Sequence, residues 1–137
     1  MARSRPTVLV VDDDTATRDG LVVLLDSWGY RATEAAAGKA ALEQCEHELP
    51  HAIVTDLMMP GMTGLEFVAA LGDRVQQIAI VFVTGQASID TAVEAIKLGA
   101  YDYLPKPLDV DRLKALIPKA LEKYQVRTAN QQLQKKL

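Results

Sequence analysis

Disulfide chemistry within the chain is excluded at once, because Cys45 is the one cysteine among 137 residues. A reducing, cytoplasmic compartment is therefore the expectation. An excess of positive charge is also lacking. Fifteen Lys and Arg stand against eighteen Asp and Glu, a net charge of −3, so no broad basic field for direct nucleic-acid binding is implied. Long hydrophobic runs are missing too. The longest, Ile78 to Val83, is far below the ~20 residues that span a bilayer. The apolar stretch that follows the cationic start Met1-Ala2-Arg3-Ser4-Arg5-Pro6 stops at Asp12, too soon for a signal peptide. Internal repeats and low-complexity segments are absent. What is present is ordinary globular composition, 49% hydrophobic and 24% charged, in a length that suits one domain. At this size folding removes roughly two-thirds of the unfolded chain's surface from water, so no staples are needed.

Strand-like and helix-like segments alternate along the chain. Thr7-Val8-Leu9-Val10-Val11 is a β-branched run without polar alternation, the pattern of a strand buried on both faces. Leu21, Leu24, Leu25 and Trp28 then recur at helical spacing, with Gly29 suited to the C′ position. Tyr30 to Ala35 predicts a second, weaker strand. A helical stripe of Gly38, Ala41, Leu42, Cys45 and Leu49 follows, stopped by Pro50. Ala52 to Thr55 predicts a third strand, and Met58 to Gly64 a loop. Leu65, Val68 and Leu71 make a short helix face, and Ile78 to Val83 is the clearest buried strand. Ser88 can cap a helix carrying Ile89, Ala92, Val93 and Ile96, closed by Gly99. Tyr101 to Leu104 predicts the fifth strand. Asp109 caps a last helix bearing Leu113, Leu116, Ile117, Ala120, Leu121 and Tyr124, with Pro118 inside it and a kink expected there. Five strands each followed by a helix predict an α/β domain with a parallel sheet and right-handed crossovers. Residues 1–6 read as an extension, 7–124 as the domain, and 125–137 as a helical linker or tail.

Ligands of open parallel sheets bind beyond the carboxyl ends of the strands. There the sequence places Asp12, Asp13 and Asp14 after the first strand, Asp56 after the third, Thr84 after the fourth and Lys106 after the fifth. Taken singly, each has a plain structural reading: acids cap helices and lysines lie at the surface. As a set at one sheet edge they make chemical sense. Clustered carboxylates repel unless a cation joins them, and hard oxygen ligands select Mg²⁺. One carboxylate can then act as a nucleophile, with Lys106 and the metal offsetting the charge of a transferring phosphoryl group and Thr84 donating to one of its oxygens. Such a site would form an aspartyl phosphate.

The stretches Val10-Val11-Asp12-Asp13, Asp56-Leu57-Met58-Met59-Pro60-Gly61-Met62-Thr63-Gly64, Val83-Thr84-Gly85 and Lys106-Pro107 resemble the receiver domains of bacterial two-component response regulators, over about Thr7 to Tyr124. The resemblance implies a flavodoxin-like, doubly wound sheet of order 2-1-3-4-5 with five helices. It implies Asp56 as phosphoacceptor for a sensor histidine kinase. Asp13, Asp56 and the backbone carbonyl of Met58 would be direct Mg²⁺ ligands, with Asp12 acting through a metal-bound water. Thr84 and Lys106 would contact the phosphoryl oxygens, Lys106-Pro107 would be cis, and Tyr103 would be the aromatic that turns inward when Thr84 moves. Gly85 departs from the more usual Ala or Ser, while Met58 and Gln86 occupy positions that tune phosphate lifetime. The run from Ser88 to Pro107 resembles receivers of the nitrogen-regulation class, in which an ATPase and a DNA-binding domain follow; the resemblance implies either the input domain of such an activator or a stand-alone receiver or phosphorelay protein.

Two other chemistries share parts of the pattern. An aspartate-nucleophile phosphatase would open on the Asp-x-Asp within Asp12–Asp14, but it wants Thr or Val where Ala16 stands. A flavin-binding module would need a Ser/Thr/Gly-rich loop after the first strand, where these acids would repel a phosphate. His47 and His51 read as surface residues, Cys45 as core, and Asp14 as a helix N-cap. The tail has a weak heptad-like seam, Val126 with Leu133 and Asn130 with Leu137. With the face of the fourth helix, fifth strand and fifth helix, that seam is a candidate route to a homodimer or an effector, the alternative being a polar tail with no dimerising role. Lys119, Lys123, Arg127, Lys135 and Lys136 are interspersed with polar residues, as on a solvated helix.

Overall fold

A computed structural model of the chain describes residues 5–136, with side chains through Tyr124. The strands are β1 (Thr7–Val11), β2 (Arg31–Ala35), β3 (Ala52–Thr55), β4 (Ala79–Thr84) and β5 (Asp102–Pro105). The helices are α1 (Thr15–Ser27), α2 (Gly38–His47), α3 (Gly64–Leu71), α4 (Ile89–Lys97) and α5 (Val110–Lys136). All strand pairs are parallel and the sheet order is β2-β1-β3-β4-β5, as the alternation and the resemblance imply. The three central strands are buried along their whole length, whereas the edge strands β2 and β5 are partly exposed.

Strand side chains alternate between faces, and here the two faces feed two apolar cores. Val8, Val10, Val54, Val81 and Val83 meet Leu21 and Leu25 of α1 and Leu113, Ile117 and Leu121 of α5. Leu9, Val11, Ile53, Ile80 and Phe82 meet Ala41 and Cys45 of α2, Phe67, Val68 and Leu71 of α3, and Ala95 of α4. Helices on both faces explain why the strands lack polar alternation.

Element boundaries differ from the sequence expectation in instructive ways. The helical stripe expected to reach Leu49 ends at His47, because the residue before a proline is pushed out of the helical region. The fourth and fifth strands each start one residue later and run one further, so Thr84 is itself the last strand residue, opposite Pro105. A 3-10 segment at Gly72–Gln77 was not expected. Its Arg74 donates from Nε to the Leu71 carbonyl and from Nη2 to that of Ala70, closing α3. His51 is exposed, as expected of a surface residue, and also accepts the Thr7 N–H on Nδ1 at 3.0 Å. Helix α5 continues through Pro118, and Asp109 caps it by accepting the Arg112 N–H at 3.1 Å. Gly29 (φ 95°) and Gly99 (φ 107°) end α1 and α4 in the left-handed region, as their sequence positions imply. Of the expected N-terminal extension, residues 1–4 lie outside the described residues, as do the side chains of the seam in 125–137.

Candidate functional site

The carboxyl ends of β1, β3, β4 and β5 open on one edge of the sheet. Asp12 leaves β1 almost fully buried, and its Oδ1 accepts the Asp14 N–H at 2.8 Å. Asp56 leaves β3, where its Oδ1 accepts the N–H of Leu57 at 2.6 Å and of Met58 at 3.4 Å. The other oxygens of both acids face Lys106. Its Nζ lies 3.2 Å from Asp12 Oδ2 and 3.1 Å from Asp56 Oδ2. One ammonium thus joins residues 94 and 50 positions away in sequence. Burial alone would lower the Lys106 ammonium, but its bonds to Asp56 and Asp12 outweigh that and hold it above the ordinary lysine value.

Asp13 completes a group with Asp12 and Asp56 in which one oxygen of each lies within 4.8 Å of the others. Three hard oxygen donors at that spacing fit a divalent cation such as Mg²⁺, and no softer ligand competes within the group. The amide that Met58 points at Asp56 puts its backbone beside the same cluster, while its side chain is half-exposed. Asp14 stands apart. It caps α1 by accepting from the Thr17 side chain and N–H, and those bonds hold its carboxyl below the usual range.

Thr84 is fully buried, its Oγ1 accepting the Gln86 N–H at 3.0 Å. The hydroxyl proton is left to donate elsewhere. Its carbonyl accepts the Lys106 N–H at 2.9 Å, fixing the two strand ends together. The Lys106–Pro107 bond is cis. Tyr103 lies outside the acid cluster: its ring packs 6.4 Å from that of Phe82, and its hydroxyl is 2.6 Å from Thr91 Oγ1.

Several residues that shape the site were not singled out from the sequence. Arg18 donates from Nη1 to the Asp12 carbonyl at 2.8 Å and from Nε to Glu34 at 3.0 Å. It thereby pins the Asp12–Asp13 peptide against β2. Nothing local signals that pairing. Gly64 is another. A Cβ there would stand 2.1 Å from the Asp56 carbonyl oxygen, so the loop that carries Asp56 can return to α3 only past a glycine. Thr63 and Glu66 form a capping box that starts α3 beside that glycine, and the Thr-x-x-Glu spacing was a readable signal.

The response regulator receiver domain family matches this chain over residues 8–118. The transcriptional regulatory protein ZraR of Escherichia coli (strain K12) is 39% identical over 121 residues, covering 88% of this chain and 27% of that protein. The DNA-binding transcriptional regulator NtrC of the same strain is 36% identical over 121 residues, with 88% and 26% covered. The chain therefore spans about a quarter of the length of these curated relatives. Among solved structures, a CheY-like response regulator receiver domain protein from Methanospirillum hungatei JF-1 superposes with TM-score 0.84 at 30% identity, covering 89% of this chain and 98% of that one. NtrX from Brucella abortus, solved in complex with ATP, gives TM-score 0.84 at 29% identity, over 93% of this chain and 29% of that one. The likeness to nitrogen-regulation-class receivers, first visible between Ser88 and Pro107, is upheld by these relatives. With the family match, the strand order and these relatives in agreement, the chain belongs to the response regulator receiver domain family.

Proposed function

We propose that Asp56 is the phosphoacceptor of this receiver and that a sensor histidine kinase is its donor. The observation that carries the reading is the Lys106 ammonium, bridging Asp12 and Asp56 at 3.2 and 3.1 Å beside a third carboxylate. In the transfer, an Asp56 carboxylate oxygen forms a bond to phosphorus while the bond to the donor imidazole nitrogen breaks, and the electron pair leaves with the imidazole. Leu57 and Met58 amides hold Asp56 Oδ1, and Lys106 holds Oδ2, so the carboxylate is oriented before any donor arrives. Thr84 has a hydroxyl proton to give to a phosphoryl oxygen, and Lys106 balances the incoming charge. Asp13, Asp56 and the Met58 carbonyl would hold Mg²⁺ directly, and Asp12 would do so through water. When bound, the ion supplies charge stabilisation to the transferring group.

The domain would occupy residues 7–124, with 1–6 an extension and 125–137 a helical linker, in a cytoplasmic protein. Readout would fall on the α4, β5 and α5 face. Exposed Ile89, Val93 and Ile96 support that choice, since such residues on one helix favour a partner. That partner would be a second copy, engaged through this face and the C-terminal helix. A transcriptional output through ATPase and DNA-binding domains outside this chain is the reading favoured by ZraR and NtrC. Among the described residues no helix is long and apolar enough to cross a membrane.

Intact-mass analysis after incubation with Mg²⁺ and a small acyl-phosphate donor tests the proposal. The wild-type chain gains one phosphoryl group, and Asp56→Asn gains none. Asp13→Ala also stays unlabelled while melting cooperatively. An Asp56→Asn chain that still acquires a stable acyl phosphate overturns the assignment.

A further inference from the structure

Thr91 stands in the first turn of α4, and its hydroxyl has more claimants than it can serve. Thr91 Oγ1 lies 2.8 Å from Ser88 Oγ, 3.3 Å from the Ser88 N–H nitrogen, 3.2 Å from the Ser88 carbonyl oxygen and 2.6 Å from Tyr103 OH. A hydroxyl has one proton and two lone pairs, so four partners exceed its capacity. Three of the four go to Ser88, the N-cap of α4, and the one from its N–H is half of the capping box that starts the helix. The fourth and shortest reaches across to β5.

We propose that Thr91 is a latch residue of the switch, its hydroxyl tying Tyr103 to the first turn of α4 so that displacement of the Tyr103 ring is passed to the helix through this one hydrogen bond. The inference rests on the receiver reading above and adds a specific link to it. Phe82 and Thr84 lie two apart on β4 and so face the same side of the sheet. The Tyr103 ring packs against Phe82 at 6.4 Å, and the Tyr103 hydroxyl ends on Thr91. Two rings and one hydrogen bond thus lead from the face of β4 that carries Thr84 to a helix start on the surface. The receiving element is weakly held. Ala95 is its buried residue, while Ile89 is 83% exposed and Val93 and Ile96 about half so. Without Tyr103, the first turn of α4 keeps its own capping box but loses this tie to the sheet, and such turns open locally without global unfolding.

Amide hydrogen exchange by NMR on the full chain tests the latch with Thr91→Val, which keeps the branched shape, Tyr103→Phe, which keeps the ring, and the double variant. Exchange at the Thr91 and Ala92 amides is expected to be about threefold to tenfold faster in Tyr103→Phe, the range that one net hydrogen bond supplies. The double variant should exchange no faster than Thr91→Val, because both substitutions remove the same bond. Adding Mg²⁺ with beryllofluoride should accelerate these amides in the wild type and change them no further in either single variant. Unchanged exchange in Tyr103→Phe, or strictly additive effects in the double variant, overturns the latch. So does beryllofluoride acceleration that persists in either single variant. Leu57 and Met58 amides that do not respond to beryllofluoride in the wild type overturn the phosphoryl-site reading instead, since the comparison without beryllofluoride decides the latch by itself.

Discussion

Helices α3 and α4 follow adjacent strands on the same face of the sheet, and they are anchored very differently. Half of the eight residues of α3 are buried, namely Gly64, Phe67, Val68 and Leu71. Among the nine of α4 only Ala95 is buried, and three large apolar side chains face solvent. Both begin in a capping box, Thr63 with Glu66 and Ser88 with Thr91. Local helix chemistry is therefore equivalent, and tertiary burial makes the difference. A helix that closes the core behind Asp56 cannot move without exposing apolar surface. A helix held by one small residue and a hydroxyl contact can.

The largest expected effect comes from the core side of that contrast. Phe67→Ala removes a fully buried ring and should cost about 3–5 kcal/mol in urea denaturation. Val93→Ala on α4, half-exposed, should change stability by no more than about 0.5 kcal/mol. Similar losses from the two would erase the distinction between the helices. Next comes Gly64→Ala. Its new Cβ meets the Asp56 carbonyl oxygen at 2.1 Å, a backbone atom that cannot step aside. A loss of roughly 1–3 kcal/mol is expected, together with slower labelling by an acyl-phosphate donor, because the displaced backbone carries Asp56, the proposed acceptor.

The caps sharpen the comparison further. Thr63→Ala and Ser88→Ala each remove an N-cap acceptor, worth roughly 1 kcal/mol. The α3 cap should appear as lower global stability. The α4 cap should appear chiefly as faster hydrogen exchange in the first turn of that helix, with a smaller change in the denaturation midpoint. The smallest effect is a pH dependence on the closed side. Cys45 lies in the same core as Phe67, and burial pushes its thiol up, with Arg74 opposing weakly. Below its ordinary pKa of about 9 the thiol is protonated in both states and contributes no slope. Above it the unfolded chain releases the proton first, so stability should fall with rising pH until the folded thiol also ionises. Cys45→Ala should lack that component of the alkaline slope. Thiol labelling of the native wild type at pH 8 should be slow and become fast on denaturation.

Much of this protein could be read from its residues. Val8 to Val11 and Ile78 to Val83 are apolar at every position, and only a strand covered on both faces requires that. The gap between such runs is long enough for a crossover helix, so the parallel sheet followed. Asp12, Asp13, Asp56 and Lys106 were legible because strand ends collect on one edge, and a carboxylate or a cation there is visible in one dimension. The half-turn lost at Leu49 and the 3-10 segment after α3 were not read, since short segments lack a full period of pattern.

Other features belong to the tertiary structure alone. Arg18 with Glu34, Gly64 against the Asp56 carbonyl, and Thr91 with Tyr103 each join parts of the chain whose sequence spacing carries no periodicity. Their partners are chosen by where packed helices set them down. Hydrophobic patterning specifies which face of an element turns inward, since burial of apolar area is additive along the element. A hydrogen bond across elements depends on distances of a few tenths of an ångström, and those exist only after the two cores have packed.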